Sequence, residues 1–195
     1  MRATTMSFGS MHQYGELFVN YMKTRKRVFI DQLGWNLPQA DGMEFDQYDN
    51  PLSQMVVVHE YGEILAGIRL SPTTAKVGLH SYMLRDAQLG LLENIPRDVL
   101  FFEAPVDPTV WEATRVFITD SVNASRRPEI QRILVGTMIR TAVQHGANSI
   151  IGIVPSIYAR WLRRLDLDAV PVGPRFAIDG TQNQAILFNA RNAMH

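Results

Sequence analysis

A chain of 195 residues, 46% apolar and 19% charged, has the composition of an ordinary globular domain able to bury one core. Its 19 Lys and Arg balance its 19 Asp and Glu, so no global field recruits nucleic acid or an anionic membrane, and neither is expected as a partner. The absence of cysteine excludes disulfides, thiolate metal sites and a cysteine nucleophile. No apolar run approaches the roughly 18 residues of a membrane span, and a cytoplasmic protein is expected.

The first strong periodicity covers residues 14–33, where Phe18, Met22, Phe29 and Leu33 recur at helical spacing with Arg25 on the same stripe. From 34 to 51 the pattern dissolves into an acidic, aromatic loop punctuated by Gly and Pro. Strands at 55–59 and 64–70 follow as a hairpin, and Pro72 ends the second. Residues 86–93 read as a short helix and 110–118 as a strand. A helix at 129–145 has Pro128 near its first turn and Gly146 past its end. A buried strand at 149–154, a helix capped by Ser156 and running to about 165, and strands at 169–172 and 184–189 complete the chain. This order predicts an α/β class, a three-layer α/β/α sandwich with a mixed, mostly antiparallel sheet, in one domain over 1–195.

Three charged segments stand out. Arg25 is costly to bury on an apolar stripe unless paired, and the loop after it offers Glu44, Asp46 and Asp49. On physics alone an ion pair pinning loop to helix is favoured over a functional site, and a solvated charge run is a further reading of the loop. The acidic spacing lacks the D-x-D-x-D-G order of a calcium loop, and no metal is expected. Arg69 alternates away from Ile64, Ile68 and Leu70; its guanidinium could clamp a substrate carboxylate or pair with Asp49. Glu112 and Arg115 are offset by three, which puts them on opposite faces of a regular strand, so reaching one site together requires a bulge. His59, His80 and His145 lack metal-ligand spacing.

In order, these segments are Arg25-x-x-x-Phe29 with Trp35 running into 41–49, then Gly67-Ile68-Arg69-Leu70-Ser71-Pro72, then Trp111-Glu112-Ala113-Thr114-Arg115. Together they resemble the autoinducer synthases of the LuxI type, strongly from about 14 to 118 and weakly beyond. The resemblance implies an acetyltransferase-like (GNAT) fold and acyl-homoserine lactone synthesis from S-adenosylmethionine and an acyl thioester. Both are substrates, so no cofactor is implied. It assigns essential roles to Arg25, Phe29, Trp35, Asp46, Asp49, Arg69, Glu112 and Arg115, with Glu112 as a candidate base. The carboxylates, Glu44 included, would balance the substrate sulfonium, and Phe29 or Trp35 would offer it an aromatic face. Another N-acyltransferase, or a non-catalytic S-adenosylmethionine binder, is the alternative.

The approach to the long helix, residues 123–128, lacks the glycines with which acetyltransferases grip coenzyme A diphosphate. That favours an acyl carrier protein as donor over plain acetyl-coenzyme A. Arg126 and Arg127 form one possible basic patch, and Arg160, Arg163 and Arg164 a better one on the helix face opposite Ile157, Trp161 and Leu165. Acyl-chain selection is expected among Met138, Ile153 and Trp161, near a segment, Ile153-Val154-Pro155-Ser156, that departs from the threonine-containing one common in the family.

Overall fold

The structure is a computed structural model and describes residues 1–156, 162, 167, 169–178 and 180–191. In chain order the elements are β1 (Arg2–Met6), a 3-10 turn (Met11–Gln13), α1 (Leu17–Arg25), a π-helical segment (Lys26–Gln32), β2 (Gln39–Ala40), β3 (Met43–Glu44), β4 (Gln54–Glu60) and β5 (Glu63–Pro72). They continue as α2 (Met83–Gln88), β6 (Val110–Ile118), α3 (Arg127–Gln144), β7 (Ser149–Pro155), β8 (Val170–Ile178) and β9 (Thr181–Asn189). The class is α/β with a mixed, mostly antiparallel sheet, as the element order predicts. The chain divides into two compact units, Met1–Leu70 with Arg115–Thr141, and Ser71–Thr114 with Ala142–His195.

In the first unit β4 pairs antiparallel with both β1 and β5. The hairpin turn lies at Tyr61-Gly62, with φ of 50° and 84°, the left-handed pair that matches strand twist. Tyr21, Met22, Val28 and Phe29 pack on Met6, Met55, Val57, Ile64 and Phe117 to form this unit's core. Gly67 is required there, because a Cβ would come within 2.6 Å of the Tyr21 ring and 2.8 Å of Phe117. The expected single helix over 14–33 is instead two pieces, α1 and the π-helical segment, its last turn widened so that Leu33 N–H reaches Val28 carbonyl at 3.1 Å. Leu33, expected on the apolar stripe, is exposed as a result. β1 escapes sequence reading because its residues, Arg-Ala-Thr-Thr-Met, carry almost no apolar alternation.

In the second unit β6 and β7 form the parallel pair, from Val110↔Ser149 to Ala113↔Gly152, and β9 pairs antiparallel with β7 and β8. Tyr82, Leu84, Ala87, Val99, Ile151 and Ala185 lie in its core. The short helix begins at Met83 rather than at 86, and ends before Gly90, whose φ is 78°. β8 runs well past the expected 172; Pro171 and Pro174 hide its strand signal, and the register shifts between Pro171 and Arg175. The helix expected from Ser156 to about 165 lies almost wholly outside the described residues.

Candidate active site

In the first unit, α1 ends on Arg25, one turn after Tyr21, so both point inward from the same face. Arg25 is fully buried and needs its positive charge met. Its Nε donates to Glu44 Oε2 at 2.6 Å, and its two terminal nitrogens donate to the two Asp49 oxygens at 2.6 and 2.9 Å. Arg69, equally buried on β5, donates to both Asp46 oxygens at 2.6 and 3.2 Å and lies 2.9 Å from Asp49 Oδ1. Arg115 completes the group, from Nε to Glu44 Oε1 at 3.2 Å and from Nη2 to Asp46 Oδ2 at 2.7 Å.

The loop folds locally to make this possible. Asp49 Oδ2 accepts the Asp46 N–H at 2.8 Å, and Asp46 Oδ1 accepts the Tyr48 N–H at 2.9 Å, a turn closed by aspartate side chains. Each arginine also lies over a ring: Arg25 over Tyr21 and Arg69 over Tyr48 at 5.6 Å, Arg115 over Phe29 at 5.7 Å. Burial alone would push the Asp46 carboxyl up, but Arg69 and Arg115 outweigh it and hold it well below the usual carboxylate range. Asp49 is lowered in the same way, burial being overcome by Arg69 and Arg25. The Tyr21 hydroxyl is buried without a hydrogen-bond partner among the described residues, and burial pushes it up to about 12.

These contacts show which partners the expected residues take. Arg69 pairs with Asp46 and with Asp49, the latter being one of its two expected roles. Glu44, Asp46 and Asp49, expected to balance a sulfonium, are matched three against three by arginines. Their oxygens lie within 4.8 Å of one another, as a metal site would need, but every carboxylate already receives a guanidinium, so the set does not suit a dication. Phe29 is 3% exposed, stacked on Trp35 at 5.1 Å with Phe117 against it at 5.8 Å, so Arg115 and its neighbours enclose the ring. Trp35 is only partly buried, and it is the one of the two rings with surface to offer a ligand.

Arg115 has φ of 53°, a left-handed conformation rare for a side-chain-bearing residue and unusual inside a strand. Burial along β6 changes phase there, from Glu112 and Thr114 to Phe117, so the strand is irregular at Arg115. Glu112 itself belongs to the second unit. It is 1% exposed, and its two oxygens accept the Met83 and Leu84 N–H groups at 2.9 and 2.8 Å.

Of the acyl-chain candidates, Met138 is buried on α3 and Ile153 packs against the second core. Arg126 pairs with Glu60 at 2.9 Å and Arg127 donates to the Val122 and Thr119 carbonyls, so both are partly spent within the fold. Trp161, Arg160, Arg163 and Arg164 lie outside the described residues. Sequence reading missed Tyr21 and Tyr48 as ring partners, although Tyr21 stands four residues before Arg25. It also missed Asp86, whose isolated carboxylate gives no signal in sequence. Two open clefts of about 260 and 490 Å³ flank α1 and share Asn20 and Gly62; none of the charged cluster lines them.

Comparison with known proteins places this geometry. An acyl-homoserine-lactone synthase of Ralstonia nicotianae is 35% identical over 162 residues, 80% of this chain and 74% of its own. The crystal structure of TofI, in a ternary complex with an inhibitor and MTA, matches with a TM-score of 0.78 at 27% identity, covering 100% of this chain and 96% of that one. An acyl-CoA N-acyltransferase from Pseudomonas aeruginosa, at 12% identity, TM-score 0.58 and coverage of 95% and 97%, shares the fold alone. The autoinducer synthase family matches residues 11–193, and with that span, the fold and the relatives in agreement, this chain belongs to the autoinducer synthases.

Proposed function

We propose that this protein is an acyl-homoserine-lactone synthase, transferring an acyl group from a thioester to the amine of S-adenosylmethionine and closing the lactone with release of methylthioadenosine. The observation that carries this reading is the family match across 11–193, with a relative of that activity at 35% identity. We take residues 1–195 as a single synthase domain.

The reaction has two displacements. The substrate's α-amine attacks the thioester carbonyl, the carbon–sulfur bond breaks and the thiol leaves. A free α-amine has a pKa of about 7.7–8.0, so at neutral pH it must first give up a proton. The substrate carboxylate then attacks its own γ-carbon and expels the neutral thioether from the sulfonium. That leaving group needs no activation, only alignment, and neither step calls for a cofactor. We assign Arg25, Glu44, Asp46, Asp49, Arg69 and Arg115 to building the S-adenosylmethionine site and Trp35 to contacting the substrate. The charged cluster is internally neutral, so it works as a rigid wall rather than as a counter-ion. On β7, pairing with β6 ends at Gly152, and the edge from Ile153 onward suits an extended, amide-bearing thioester arm. The donor is carried on acyl carrier protein or coenzyme A, and both substrates belong to the cytoplasm.

The test is incubation of the purified protein with S-adenosylmethionine and a mixture of acyl thioesters on both carriers, with products identified by mass. Acyl-homoserine lactone and methylthioadenosine in equal amounts are expected. An acylated amine without methylthioadenosine would overturn the reading in favour of another N-acyltransferase.

A further inference from the structure

Two buried carboxylates of the second unit hold one short stretch of backbone. Glu112, on β6, accepts the N–H groups of Met83 and Leu84, the first two residues of α2. Asp86, fully buried on α2, accepts the Ser81 N–H at 3.0 Å and the Ser81 hydroxyl at 2.5 Å, with His80 Nδ1 at 3.0 Å. Just ahead, Val77 and His80 exchange both backbone hydrogen bonds across Gly78, which fixes the entry to the stretch.

A helix of six residues whose Leu84 and Ala87 are already fully buried has no need of two ionisable groups in its foundations. Burying a carboxylate is costly, and here the cost is offset because the first N–H groups of a helix have no acceptor within it and Glu112 supplies one to each of two. What the carboxylates add is direction: charge-assisted hydrogen bonds fix where the backbone of 81–84 stands. The side chain that this backbone carries is Met83, partly buried against the same core as Ile153.

We propose that Glu112 is a positioning residue which, with Asp86, locks segment 80–84 as a wall for the acyl donor, and that it does not take the substrate's proton. This rests on the synthase reading above. Proton transfer to Glu112 would replace charge-assisted acceptance of two amides by a neutral acid, loosening the helix start at the moment of reaction.

The experiment is Glu112→Gln in the full chain, followed by amide exchange at Met83 and Leu84 and by the pH dependence of turnover. Glutamine can accept from one amide but turns its own N–H₂ toward the other. Exchange at one or both amides should rise by at least about 10-fold. Turnover should fall on the order of 10- to 100-fold with the shape of the pH–rate profile kept, as for misplaced but intact chemistry. Unchanged exchange, or loss of the acidic limb of the profile, would overturn the proposal and return Glu112 to the role of base. Should that variant fail to fold, Asp86→Asn tests the same lock from its other end. It should reproduce faster exchange and slower turnover with an unaltered profile, and wild-type values would overturn the proposal. If the wild-type protein makes no lactone, the synthase reading fails, while amide exchange still reports whether Glu112 anchors the segment.

Discussion

The two units solve the same problem, a carboxylate without water, by different means. In the first, Glu44, Asp46 and Asp49 are met by the side chains of Arg25, Arg69 and Arg115, each arginine shared between two acids. In the second, Glu112 is met by two backbone amides, and Asp86 by an amide, a hydroxyl and an imidazole. The first solution depends on an equal count of charges and the second on the course of the main chain. Charge deletion should therefore damage the first most, and loss of geometry the second.

The largest effect should come from Arg69→Met, which keeps volume but leaves three buried acids to two arginines, with Asp46 held by Arg115 alone and Asp49 by Arg25 alone. Breaking a buried pair by removing one partner costs about 3–5 kcal/mol, and the denaturant midpoint should fall accordingly. A loss below about 1 kcal/mol would mean that the remaining arginines redistribute freely. Acid should separate the units next. Asp46 and Asp49 lie below their ordinary value of 3.8 in the fold, so their contribution is complete only above about pH 5. It is lost as pH falls further, because the unfolded chain takes up protons first. Denaturation followed between pH 6 and 3 should show a steep loss of stability, shallower in Asp46→Asn.

Asp86→Asn should be milder, about 1–3 kcal/mol by the same midpoint measurement, since an amide can still accept from Ser81 while one neighbour loses its acceptor. The smallest change belongs outside both clusters. Lys26 and Asp31 approach to 2.6 Å on the surface, and Lys26→Ala should move the midpoint by less than about 1 kcal/mol. A larger loss would show that the π-helical segment depends on that pair.

Much of the first cluster is legible in the amino-acid sequence. An arginine among Phe18, Met22 and Phe29 has to find acids, and the next loop is the place that supplies them. The bounds of β6 and of the β4–β5 hairpin follow from alternation and from Gly62. The sharing is not legible: which oxygen meets which guanidinium depends on a loop folded by its own aspartates, and on a π-helical turn that no propensity marks. The left-handed Arg115 is required by the Glu112 spacing only if both residues serve one site, and a spacing argument names a distortion without locating it. Glu112 is legible as important, whereas its hydrogen bonds to Met83 and Leu84 join segments that sequence does not connect.

Tyr21 makes the interior of the first unit visible to absorbance. Its phenol is raised from 10.0 to about 12 by burial, so between these values the folded chain keeps it neutral while an opened chain ionises it. Alkali therefore destabilises this unit as pH rises through that window, and the sign follows from proton release in the unfolded chain. Ionisation of a phenol to phenolate registers in the ultraviolet difference spectrum. Burial in the second unit raises the Tyr82 phenol as well, so it is the part of a delayed step that Tyr21→Phe removes that would time the moment at which alkali breaches the packing around Gly67 and Phe117.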